Sequence, residues 1–82
     1  MDRHFEIGHT TFTLETRNGH TTLRSGGPHW AIRDTDGSWC AFKGEHFRAQ
    51  LGRMEPEQVA VKLAAFDQAH RALLENLGIS PA

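Results

Sequence analysis

"RDTDGSWCAFKG", residues 33–44, holds two aromatic residues three apart on one short predicted strand. Strand side chains alternate between faces, so Trp39 and Phe42 must point in opposite directions. "HWAIRD" and "SWCAFK" flank Thr35-Asp36-Gly37, which suits a type I turn closed by a left-handed glycine, a three-residue hairpin loop. That register pairs Asp34 with Ser38, Ile32 with Cys40 and Trp30 with Phe42, and puts four apolar side chains on one face. A loop of Asp36-Gly37 alone would split them, because a one-residue slip reverses every side chain. The predicted core therefore contains Trp30, Ile32, Cys40 and Phe42. Trp39 is predicted to point outward, across from Arg33 and beside Ala31 and Ala41.

Upstream, "ETRNGHTTL" centres on Asn18-Gly19, the commonest two-residue hairpin loop. The turn pairs Arg17 with His20, Glu15 with Thr22 and Leu14 with Leu23. Leu14, Leu23 and Phe12 then share one face, and Thr13, Glu15, Thr22 and Arg24 the other. Phe5 and Ile7 fall on odd positions, Phe12 and Leu14 on even ones, so the parity must shift near Gly8. Either a bulge at Gly8 or a tight turn pairing Ile7 with Phe12 would do this. The sheet is accordingly expected to have four or five strands. "SGGP", residues 25–28, reads as a loop.

After Gly44 the period changes. "EHFRAQLG" suits a short helix over 45–52, with Phe47 and Leu51 as its buried edge. "EPEQ" then opens a long helix predicted over 56–77, with Pro56 at its first position and Gly78 as its stop. Val59, Leu63, Phe66, His70, Leu73, Leu74 and Leu77 form one stripe on it, and a single-faced helix needs a sheet to lie on. The expected fold is α+β, one domain over 1–82. An antiparallel meander in 1–44 is covered, on the face of Phe12, Leu14, Leu23, Trp30, Ile32, Cys40 and Phe42, by the C-terminal helix.

Composition narrows the function. Nine basic residues face ten acidic ones, a net charge of −1, with five against five up to residue 44 and four against five after it. A nucleic-acid binder usually carries a basic excess or stripe. "MDRHFEIG" has no apolar h-region, so no signal peptide is expected. "VAVKLAAF" is too short to span a bilayer, and the single cysteine fits a reducing cytoplasm. His4, His9, His20, His29, His46 and His70 offer no H-x-H, no helical H-x-x-x-H and no cysteine pair, so no metal site and no cofactor are assigned. Cys40 is expected to face the core, where a thiol is a poor nucleophile. Ser25-Gly26-Gly27 lacks the strand-to-helix context of a phosphate loop. His70, mid-stripe, reads as a core histidine that needs a partner for its ring N–H.

What remains is surface. The open sheet face is expected to carry Trp39 and Arg33, with Arg24, Thr13 and Glu15 around them, and Trp and Arg are the types most enriched at binding hot spots. The sequence therefore reads as a non-enzymatic, cytoplasmic protein-binding module acting through that face. Small α+β domains without enzyme signatures are frequent among regulators and inhibitors, including those of phages and other mobile elements. Single-stranded nucleic acid stacking on the same face is the alternative, and a histidine-based metal site a second one. Val61, Ala65, Ala69 and Ala72 form a smooth ridge on the helix, which could take residues 45–51 or the same helix of a second copy in a homodimer.

Overall fold

The computed structural model describes residues 2–79. Six strands, β1 (Asp2–Ile7), β2 (Thr10–Arg17), β3 (His20–Arg24), β4 (His29–Arg33), β5 (Ser38–Lys43) and β6 (His46–Arg53), precede one helix, α1 (Pro56–Asn76). The strands form a single antiparallel meander in chain order. The arrangement is α+β, with six strands where four or five were expected.

The hairpins follow their turn residues. Asn18 and Gly19 adopt φ of 53° and 78°, and Leu14 faces Leu23 across the β2–β3 ladder as the sequence requires. The parity shift near Gly8 is a turn through Gly8-His9. It pairs Phe5, rather than Ile7, with Phe12, and the two rings stack at 6.1 Å. In the β4–β5 hairpin Trp30 faces Phe42, Ile32 faces Cys40 and Arg33 faces Trp39, the register derived above.

The helix covers the expected face of β2 and β3, with Phe12, Leu14 and Leu23, but the opposite face of β4 and β5 from the expected one. Across β3–β4, Leu23 pairs with Ala31 and Arg24 with Trp30. The Leu23 face therefore continues into Ala31, Ala41 and Trp39, all fully buried with Phe12, Val59, Ala60 and Leu63. Trp30, Ile32, Cys40 and Phe42 lie on the uncovered side. Their own hairpin could not decide this, because it presents an aromatic on each face. On the covered side Ala31 and Ala41 leave room for the helix to approach, and Trp39 fills the space beside them.

Residues 45–52 are not a helix. Gly44 and Glu45 make a turn that pairs Lys43 with His46, and β6 covers the edge of β5. Pairing with β5 satisfies a row of backbone groups that a two-turn helix would leave open, so tertiary context overrides the local four-residue spacing. Two register shifts accommodate the mismatch. They send Phe47 to the open face and Leu51 toward the core, so that the pair expected on one helical edge is divided between the two faces. Gly52, at φ 80°, sits opposite Trp39 at the first shift, a backbone conformation that side chains rarely adopt.

Helix α1 starts where predicted. The Glu55 N–H donates to the Gln58 side chain at 2.9 Å, one half of a capping box. It ends with the Gly78 N–H on the Glu75 carbonyl and the Ile79 N–H on that of Leu74, a Schellman closure. A helix of 21 residues is about 31 Å long, whereas strands of five or six residues span only about 17–20 Å. Val59 and Leu63 bury themselves on the sheet, but Leu73 and Leu77, near the C-terminal end of the helix, are 55% and 64% exposed.

Candidate functional site

The uncovered face of the sheet is built from two cross-strand rows. One runs Thr13, Arg24, Trp30, Phe42, Phe47, and the next Glu15, Thr22, Ile32, Cys40, Gln50. In the first row Trp30 and Phe42 stack with centroids 4.9 Å apart and planes 18° apart. The Arg24 guanidinium lies 4.9 Å from the Trp30 ring on the neighbouring strand, a cation–π contact. Phe47 closes the other end edge-on to Phe42, at 6.0 Å, and is 62% exposed. The Trp30 indole N–H donates to the Gly44 carbonyl at 2.7 Å, which fixes the ring's orientation. In the second row the Cys40 thiol contacts the Gln50 amide oxygen at 2.8 Å.

The residues expected to form one site are divided between the two faces. Arg24, Thr13 and Glu15 are on the open face; Glu15 is paired with Arg17 at 2.8 Å, and Thr13 with His4 at 3.0 Å. Trp39 and Arg33 are on the helix side. Trp39 is fully buried and its N–H donates to the Met54 carbonyl at 3.1 Å, so it is a core residue and not an outward anchor. Arg33 does lie across from Trp39, its guanidinium 5.8 Å from the ring in a cation–π contact, but on that inner side, where Arg33 also donates to the Thr21 hydroxyl at 3.2 Å. Trp30, Phe42 and Phe47 carry the exposed aromatic character instead. Nothing in the β4–β5 segment alone would have found them; the parity of the β3–β4 connection would.

The buried histidine is also a different one. His29, 2% exposed, contacts the Asp67 carboxylate through Nδ1 at 2.6 Å, with the Phe66 ring 5.5 Å away. His70 is half-buried, and Lys43 donates to its Nδ1 at 3.2 Å. Asp67 lies one turn beyond Leu63, which is the sequence signal that a carboxylate faces the sheet there.

No family model matches the chain, and no curated protein or solved structure is significantly similar to it. Among the described residues no three His, Cys, Asp or Glu side chains gather in a metal-binding group. Among the same residues no helix is long and apolar enough to cross a membrane. The ridge Val61, Ala65, Ala69 and Ala72 is exposed along α1, and residues 46–53 do not pack on it because they belong to the sheet.

Proposed function

We propose that the protein is a non-enzymatic cytoplasmic binding module, a regulator or inhibitor, which engages another protein through the open sheet face. Its anchors are Trp30, Phe42 and Phe47, with Arg24 at the end of the row. The observation that supports this reading is the ordered aromatic row on a face that no other described element covers. Solvent-facing aromatics held by stacking and by an indole hydrogen bond lose little freedom on binding, which is the condition for a hot spot.

The same geometry weighs against base stacking. Arg24 and Phe42 both lie against the Trp30 ring, which leaves less of it for a base, and the net charge of −1 gives no attraction to a phosphate backbone. Affinity capture from the source cell with wild type, Phe47→Glu and Leu73→Glu tests the assignment. A partner retained by wild type and Leu73→Glu but lost with Phe47→Glu supports the open face. Equal capture by all three, or oligonucleotide binding that weakens steeply with salt, overturns it.

A further inference from the structure

At the end of the sheet that carries the β1–β2 turn and the β3–β4 loop, α1 passes over both and leaves a groove of about 770 Å³. The groove is separate from the open face, and His29 and Asp67 tie its two walls together. The Asp67 carboxylate receives the His29 backbone N–H at 3.4 Å and ring Nδ1 at 2.6 Å. Gly27 presses on the same carboxylate so closely that a Cβ would sit 2.5 Å from its Oδ2. A side chain at Gly27 would therefore displace the carboxylate that His29 holds.

The chemistry facing this space is mostly donating. Arg71 lines it and makes no ion pair among the described residues. Lys43 donates to His70 Nδ1, which places the ring proton of neutral His70 on Nε2, available as a donor. The Ser25 oxygen accepts the Gly27 N–H at 3.1 Å, so its own hydroxyl proton is free. The carboxylate at the site, Asp67, is already engaged by His29. The one cation lining the groove, Arg71, therefore stands beside one committed anion, with Lys43 behind His70. Leu74 and Pro28 supply an apolar wall beside them.

We propose that this groove binds a small organic anion, a phosphate or carboxylate carried on an apolar body. Arg71 takes the oxyanion through its planar fork, His70 and Ser25 add donors, and Leu74 and Pro28 contact the body. The volume is in the range of small-ligand sites and larger than an inorganic ion needs.

Amide NMR titration of the full chain tests this with four probes: phenyl phosphate, benzoate, inorganic phosphate and sodium chloride at matched ionic strength. Saturable shifts of Gly26, Gly27, His70 and Arg71 are expected with phenyl phosphate or benzoate, the stronger of the two identifying the oxyanion, and weaker ones with inorganic phosphate. Arg71 is exposed, so Arg71→Gln should fold normally and weaken binding at least about tenfold, the scale of one charge-assisted hydrogen bond, with Arg71→Lys in between. Sodium chloride reproducing the shifts, Arg71→Gln titrating like wild type, or shifts confined to the open face around Arg24 would overturn the proposal. Because none of these readouts involves a protein partner, they stand or fall independently of the open-face reading.

Discussion

The indole N–H of Trp39 donates to the carbonyl of Met54 at 3.1 Å, tying the start of β5 to the segment that launches α1. The ring is fully buried between sheet and helix. Trp39→Ala should therefore be a stability mutation, with a loss of about 3–5 kcal/mol. In a domain of this size each kcal/mol lowers Tm by about 4–8 °C, so a drop of more than about 12 °C is expected in a thermal melt. Trp39→Phe keeps most of the ring and removes only part of the volume and the hydrogen bond, and should fall between the two. A Trp39→Ala melt within a few degrees of wild type would contradict the buried position.

Gly27, Asp67 and His29 act as one unit, and a double-mutant cycle should reveal it. Asp67→Ala removes a charge-assisted hydrogen bond to a buried ring and should cost about 2 kcal/mol in urea unfolding. Asp67→Asn, whose Oδ1 can still accept from His29, should recover more than half. Gly27→Ala forces a Cβ onto the Asp67 carboxylate, which must leave His29 to make room. Its cost should be close to that of Asp67→Ala in the wild-type background and near zero when Asp67 is already Ala. Additive costs in the two backgrounds would mean that the loop is held by something other than this carboxylate.

How far the sequence carries the fold is visible in particular residues. Local rules placed the Asn18-Gly19 turn, the β4–β5 register and the start of α1, because turn chemistry, alternation and capping are decided within a few residues. The face of β4 and β5 was not decided there. It depends on how a four-residue connection, Ser25–Pro28, sets Ala31 rather than Trp30 beside Leu23, and each choice buries one tryptophan and exposes the other. The 45–52 segment failed for a related reason: its Phe47/Leu51 spacing fits a helix, and only the unpaired edge of β5 makes it a strand. The candidate site inherits both errors. Arg24, Thr13 and Glu15 were placed on the open face correctly because they belong to the locally determined β2–β3 hairpin. Trp39 and Arg33 were not, because their side of the sheet is settled by packing against α1.

Asp36 gives a pH dependence with a defined sign. Its carboxylate accepts from the Ser38 hydroxyl at 2.6 Å and from the Ser38 N–H at 2.9 Å. The hydroxyl bond, followed by the backbone bond, holds the pKa below the ordinary 3.8. A folded pKa below the unfolded one means that the stabilisation is fully present above about pH 4 and is lost as pH falls through the folded value. The group is fully exposed, so the effect on the whole domain is small and is best read at the residue. Carboxyl carbon NMR should give a midpoint under 3.8, and Ser38→Ala should move it upward. A wild-type midpoint at or above the ordinary value would mean that the turn does not hold these two bonds in solution.

The open-face row should separate stability from surface function by position. Phe47 stands at the end of the row, mostly in solvent, so Phe47→Glu should change stability by no more than about 0.5–1 kcal/mol. Trp30 is half-buried, flanked by Arg24 and Phe42 and hydrogen-bonded to Gly44, and Trp30→Ala should cost about 2 kcal/mol, less than Trp39→Ala. Arg24→Ala, which uncovers one face of the Trp30 ring, should alter indole fluorescence with little change in Tm. The order Trp39 > Trp30 > Phe47 in urea unfolding follows directly from which face the helix covers. The reverse order for the two tryptophans would place α1 on the other side of the sheet.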